Sequence, residues 1–206
     1  MTTLTLDTAT SIASVGLVLA DGRSLSAEPI RATNAAQHVL SAVDAVLGEA
    51  EIDVRDISSI AVGRGPGSFT GLRIGLATAL GLSEALGVPV IGVDTLGVLQ
   101  HAGSAGAIAV IDARRGEVFA EGAGVPAASY TPEQLATQLE RGAVLVGDGA
   151  LRYRELFAES GCSVPADDSP LHWPNPTTMV EQAQSDPQPA TALYLRAPDA
   201  VPEAAR

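Results

Sequence analysis

One segment limits the folds open to this chain more than any other: G-R-G-P-G-S-F-T-G-L-R-I-G, Gly63 to Gly75. An apolar run, Ile57 to Val62, enters it and reads as a buried strand. A helix apolar almost all round, Leu72 to Leu86, leaves it and breaks at Gly87-Val88-Pro89. A strand passing through glycines into a helix belongs to a layered α/β architecture. The loop Gly63 to Gly71 offers backbone N–H groups at a helix N-terminus, a geometry suited to an anion, with Ser68 and Thr70 as hydroxyl donors and Arg73 in the first turn. The same glycines equally suit a tight turn that lets the helix pack close to the sheet, and the residues alone weigh the two readings evenly. The glycine spacing and the missing lysine exclude a Walker A loop, and G-x-G-x-x-G is absent too.

The elements around this segment fit a mixed sheet. Leu4 and Leu6 alternate before Asp7, a second run spans Ser14 to Leu19, and Asp21-Gly22 makes a hairpin turn, so the chain opens β-β-β with antiparallel links. Asn34 is expected to cap a helix over 34–47, with Gln37 completing a weak capping box. Its apolar face would hold Ala36, Val39, Leu40, Val43, Val46 and Leu47, with Gln37, Ser41 and Asp44 opposite. A short strand, Val90 to Val93, precedes Asp94-Thr95 as the cap of a helix over Leu96 to Gln100. The Gly/Ala/Ser stretch His101 to Gly106 marks a boundary between a first lobe, 1–103, and a second, 104–206. The second lobe is expected to hold strands over Ala107–Ile111, Glu117–Glu121 and Ala143–Val146. Its helices would run from Thr131-Pro132 to about Glu140 and over Tyr153–Ser160. Frequent prolines from Pro165 to Pro202 suggest a surface tail, helical over Met179 to Ala183.

Composition removes several chemistries. The 206 residues include 12 Arg and no Lys, so a Schiff-base lysine and a lysine general base are excluded. Cys162 is the only cysteine, and His38, His101 and His172 include no H-x-x-x-H pair, so multi-cysteine metal sites and a zincin motif are excluded. A chain of this length should bury roughly 70% of its unfolded surface and needs neither disulfide nor metal to fold. The formal net charge of −12 predicts repulsion from nucleic acid and from anionic membranes. The N-terminus M-T-T-L-T-L-D-T lacks the pattern of a signal peptide, which points to the cytoplasm.

Two further segments bear on function. Asp7-Thr8-Ala9-Thr10-Ser11, a carboxylate followed by hydroxyls at a strand–turn–strand, resembles the first phosphate loop of actin-like and sugar-kinase-like ATPases, although the usual glycine is missing at Thr8 or Ala9. An Asx or ST turn satisfying its own backbone fits it at least as well. Asp112-Ala113-Arg114-Arg115-Gly116-Glu117 forms a charged hairpin tip, either solvated or a contact for a partner or substrate. His101, His172 and Cys162 suggest no constellation and read as structural. A Ser-His-Asp triad has no G-x-S-x-G elbow to support it.

Taken together, D-T-A-T-S-I-A-S-V-G-L from Asp7, G-P-G-S-F-T-G-L-R-I-G from Gly65, I-D-A-R-R-G-E-V-F from Ile111 and L-Y-L-R from Leu193 resemble the bacterial TsaB (YeaZ) family in order and spacing. The resemblance covers nearly the whole chain. It implies an actin-like ATPase (ASKHA) superfamily fold, α/β, of two lobes each with a mixed sheet and helices, the second lobe shortened. It implies a non-catalytic subunit that supports a TsaD-like transferase in forming N6-threonylcarbamoyladenosine beside the anticodon of tRNAs that read codons starting with A. A TsaE-like ATPase is the third component, and tRNA is met only through the complex. No cofactor, metal or catalytic residue is then required of this chain. Asp7, Thr8, Gly65, Gly67, Ser68, Thr70 and Gly71 would be residual phosphate-binding positions, kept for folding. First-lobe helices would pack against the transferase or against a second copy of the chain, which carries over to Gln37, His38, Ser41, Asp44, Arg73, Leu76 and Leu80. Arginine at Leu76 or Leu80 is therefore expected to weaken partner binding more than folding. The alternative is a small-molecule phosphotransferase using Asp7 and the Gly65–Gly71 loop.

Overall fold

The computed structural model describes residues 1–103 and 106–196. Strand β1 (Thr2–Asp7) alternates threonine with leucine, and that period-two pattern decides which layer covers each face of the first sheet. Around it lie β2 (Ile12–Val18), β3 (Ser24–Ser26), β4 (Ile30–Arg31), β5 (Ile57–Gly63) and β6 (Val90–Val93). The order is β3-β2-β1-β5-β6, with β4 also beside β2. β2 runs antiparallel to β1, while β5 and β6 are parallel additions. Leu4 lies opposite Leu17 and Leu6 opposite Val15, so both strands send their branched side chains to one face.

That face is covered by α1 (Ala35–Ala50) and α2 (Phe69–Leu86). Val39, Val43, Val46, Leu47, Leu76 and Ala79 close over Leu4, Leu6, Ile60 and Val62. The opposite face carries Thr3, Thr5, Ser59 and Ala61 and receives α3 (Thr95–Ala102) and α7 (Pro176–Ser185). The Thr3 and Ser59 hydroxyls pair at 2.9 Å, which satisfies polar groups that packing would otherwise orphan.

The second sheet is built from β7 (Ile108–Arg114), β8 (Glu117–Gly122), β9 (Val125–Tyr130) and β10 (Leu145–Val146), in the order β10-β7-β8-β9. It is mixed, because β10 is parallel to β7 and the other pairs are antiparallel. Its core takes Phe157, Leu135 and Ala150 from α6 (Arg154–Glu159), α4 (Pro132–Ala136) and α5 (Asp148–Arg152). A third cluster joins Leu96 and Leu99 of α3 to Ile111, Phe119 and Val146, while Val98 of α3 packs with Ala61 and Val93, so α3 carries apolar contact from one sheet to the other. Two mixed sheets, each with helices packed on it, are thus joined in one chain.

Several expectations need correction. Asn34 stands at the start of α1, but its side chain makes no capping bond, and the helix continues past Gly48 to Ala50. Ala36 and Leu40 are not on the buried face; Ala35, Ala42 and Ala50 are, and Leu40 is 56% exposed. α2 begins a turn earlier than Leu72, because Ser68 accepts from the Gly71 N–H and caps it there. Asp94 makes no cap bond at α3, since its carboxylate is drawn to Arg64 at 2.5 Å. α4 stops at Ala136 rather than Glu140, although the Thr131–Gln134 capping box does form at its start. β9 was not foreseen; its V-P-A-A-S-Y lies at a sheet edge, where Pro126 costs no ladder bond. The 101–106 boundary stretch includes residues 104 and 105, which lie outside the described residues, as does the tail 197–206.

The largest correction concerns the tail. Its helix α7 is longer than expected and lies on the first sheet, where Met179 is fully buried with Ala61, Val93, Val98 and Ala183. Small groups make the room: a Cβ on Gly16 would collide with Pro176 at the first turn of α7. Met179→Ala is therefore expected to cost about 2–5 kcal/mol in urea unfolding. Leu40→Ala should stay within about 0.5 kcal/mol of wild type. A Met179→Ala chain as stable as the parent would show that α7 is not part of the core.

Candidate functional site

β1 and β5 are parallel neighbours, and their C-terminal ends put Asp7 beside Gly63. Gly63 is required at that point, since a Cβ there would overlap the Asp7 carboxylate. Asp7 is fully buried. Its Oδ1 accepts the Ala9 N–H at 2.8 Å, an Asx turn, and its Oδ2 accepts the Thr95 hydroxyl at 2.8 Å. Burial pushes its pKa up to about 6; the two hydrogen bonds oppose this, and repulsion from Asp148 adds to it.

The turn that follows is locked into α2. Thr8 donates its hydroxyl to the Gly71 carbonyl at 2.6 Å, and Ser68 donates its N–H to the Ala9 carbonyl at 2.8 Å. Close approach is possible because Gly67, Gly71 and Gly75 have no side chains; a Cβ on each would meet Ala9 or Thr8. Gly65 has φ +99 and its carbonyl accepts the Thr95 N–H at 2.9 Å. Thus Asp7, Thr8, Gly65, Gly67, Ser68 and Gly71 do come together, and these polar contacts of Asp7, Thr8, Gly65, Ser68 and Gly71 go to one another, to Ala9 and to Thr95. Only Thr70 of the candidate set is exposed. These contacts draw the start of α2 against the turn at 8–9.

The hairpin tip is not simply solvated. Asp112 is 9% exposed, and its Oδ2 pairs with Arg114 at 3.1 Å and Arg152 at 2.9 Å. Arg114 and Arg115 take positive φ in the turn. Between this hairpin and the start of α2 lies a cleft of about 510 Å³, bordered by Ser68, Thr70, Arg114, Tyr194 and Arg196. Phe69 sits at its lip with Tyr194 5.9 Å away and the Arg73 guanidinium 3.8 Å above its ring. His172, read as structural, is fully buried and accepts the Gly147 N–H through Nδ1 at 3.1 Å.

Asp148 escaped the sequence reading. It is 7% exposed and accepts the Ser11 N–H at 2.7 Å and the Asp112 N–H at 3.0 Å. Burial raises its pKa, and the two amides pull the other way. The G-D-G spelling of 147–149 was the available signal, a carboxylate between glycines that permit close backbone approach.

Of the interface candidates, Gln37, His38, Ser41 and Asp44 on α1 and Arg73 and Leu80 on α2 are exposed. Leu76 is not: at 8% exposure it belongs to the first core, because α2 turns it toward the sheet. Leu76→Arg is accordingly expected to unfold the chain, whereas Leu80→Arg should melt normally. For Asp7, a folded pKa near 6 against 3.8 unfolded means the folded state holds the extra proton. Stability therefore falls as pH rises between those values, by about 3 kcal/mol in full. Asp7→Asn should remove that slope, gaining on wild type between pH 4 and pH 7 in urea unfolding; parallel pH profiles would refute the assignment.

Comparison with known proteins supports the whole chain as one family member. The family model described as TsaD, tRNA N6-adenosine threonylcarbamoyltransferase, matches residues 29–126. An uncharacterized Mycobacterium tuberculosis protein is 33% identical over 98% of this chain and 94% of its own length. A related Mycobacterium leprae protein is also 33% identical over 97% of this chain, which spans 56% of that protein. The Escherichia coli tRNA threonylcarbamoyladenosine biosynthesis protein TsaB is 40% identical over 58% of this chain and 53% of its own. The solved structure of YeaZ from Pseudomonas aeruginosa superposes with a TM-score of 0.73 at 31% identity, over 94% of this chain and 99% of that one. With sequence and fold matched along essentially its full described length, this chain belongs to the TsaB (YeaZ) family.

Proposed function

We propose that this chain is a non-catalytic subunit that binds and supports a TsaD-like transferase in forming N6-threonylcarbamoyladenosine beside the anticodon of tRNAs reading codons that start with A. The observation that carries this reading is the state of the phosphate cradle. Asp7 is sealed from solvent with both oxygens engaged, and the glycine loop spends its close approach on the turn at 8–9. A nucleotide phosphate would have to displace those internal bonds. Asp7, Thr8, Gly65, Gly67, Ser68, Thr70 and Gly71 are on this reading relics retained for folding. The pathway is supported by the names of the Escherichia coli, Haemophilus influenzae and Bacillus subtilis relatives, each a tRNA threonylcarbamoyladenosine biosynthesis protein TsaB.

The docking face we infer lies on the first lobe, residues 1–103, where α1 and α2 show Leu40 and Leu80 to solvent at 56% and 47%. Gln37, His38, Ser41, Asp44 and Arg73 frame it. A groove of about 470 Å³ beside α1, past Pro29, Ile30, His38 and Ala45, gives it relief. Exposed leucines among polar neighbours give such a face apolar surface to bury against a partner. The same face would serve a second copy of the chain in a homodimer. A TsaE-like ATPase completes the assembly in the cytoplasm, and the net charge of −12 leaves tRNA to the other subunits. The second unit, 104–206, keeps its own sheet, with α7 returned to the first. Among the described residues, no helix is long and apolar enough to cross a membrane.

The test is reconstitution: a TsaD-like transferase with its adenylate supply should form more modified adenosine when this chain is added. Leu80→Arg should weaken its binding to the transferase by about 2 kcal/mol, roughly 30-fold in Kd, with its melting temperature kept. Unchanged affinity would remove α2 from the interface. Saturable ATP binding by the isolated chain, abolished in Asp7→Ala, would favour the phosphotransferase instead.

A further inference from the structure

We propose that the two lobes are held in one fixed orientation by a double latch, one tie made by Asp148 and the other by the stretch from Gln188 to Arg196, whose last residues line the cleft. The inference concerns the lobes alone and does not depend on the partner reading. Lobes joined by a limited interface move relative to one another unless something prevents it. Here the apolar contact of Leu96 and Leu99 with Ile111 and Phe119 forms a pivot between α3 and the second sheet. Polar ties supplement it in two places.

The first tie is Asp148, which reaches both lobes. Its Oδ2 accepts the Ser11 N–H from the β1–β2 turn, and its Oδ1 accepts the Asp112 N–H from β7. Gly147, at φ +104, and Gly149, whose Cβ would strike the Ile111–Asp112 backbone, set the carboxylate in that position. Charge-assisted bonds of this kind are the stronger ones, and opening the lobes would strand a buried N–H or a buried charge.

In the second tie, the chain leaving α7 crosses from the first lobe to the second. Gln188 and Gly92 exchange backbone bonds of 2.8 and 3.2 Å, and Leu193 donates its N–H to the Arg64 carbonyl at 2.7 Å. Leu195 then packs on the cluster holding Ile111 and Phe119, and Arg196 pairs with Glu117 of β8 at 2.9 Å. The Ser129 hydroxyl holds the same Glu117 carboxylate at 2.9 Å.

Spin labels on cysteines placed at the exposed Ser24 and Glu133, one per lobe, read the lobe-to-lobe distance by pulsed electron resonance, with Cys162→Ser as background. The parent should give one narrow distribution. Asp148→Asn has the same shape but turns an NH2 toward one of the two amides, so its distribution should broaden. Arg196→Ala, at a half-exposed ion pair, should keep the fold and broaden the distribution less; the double variant should be the widest. Circular dichroism identifies which variants fold. An unchanged distribution in every variant that folds overturns the latch.

Discussion

A carboxylate in a protein interior is stable only where its charge is shared among donors or given up to a proton. Asp7 does some of each: it takes one hydrogen bond from the chain two residues on and another from Thr95, and its pKa rises to about 6. Everything nearby is arranged for this. Gly63 vacates the space for the carboxyl group, and Gly67, Gly71 and Gly75 bring α2 against the turn that Asp7 starts. The same contacts hold β1, β5, α2 and α3 in register, so the element that looks most like a ligand site is also the keystone of the first lobe.

The second lobe is attached by related means. Asp148 is a further buried carboxylate satisfied by backbone amides, and its amides come from both lobes. The C-terminal stretch adds α7 to the back of the first sheet and then crosses to Glu117. The faces left over are those of α1 and α2 away from the sheet, with Leu40 and Leu80 outward. A fold whose internal cradle is filled and whose outer helices carry apolar anchors suits a subunit that works by contact.

Much of this was legible in the residues. The strand–glycine–helix sequence around Gly65, the β-β-β opening and the helix rich in valine and leucine after Asn34 all follow from periodicity and turn chemistry. The limits were physical. Ala36 and Leu40 satisfy the apolar spacing, yet the helix is rotated so that Ala35 and Ala42 face inward, because small residues let α1 sit closer to the sheet. The tail read as surface because prolines are frequent from Pro165 to Pro202; yet Met179 and Ala183 of α7 suffice to seat it against Ala61 and Val93 of the first sheet.

Residue content and short-range order set the local chemistry: the absence of lysine and of a second thiol and the acidic balance come from composition, and the glycine-lined turn into α2 and the four motifs that carry the family come from residues adjacent in the chain. Tertiary structure alone decided which groups lose water and which keep it. Leu76 and Leu80 are one helical turn apart and chemically identical, but only Leu76 meets the sheet. Asp148 is partnered by an amide 137 residues away. Burial and pairing of that kind follow from how distant segments are stacked, which residue order specifies only through the completed fold.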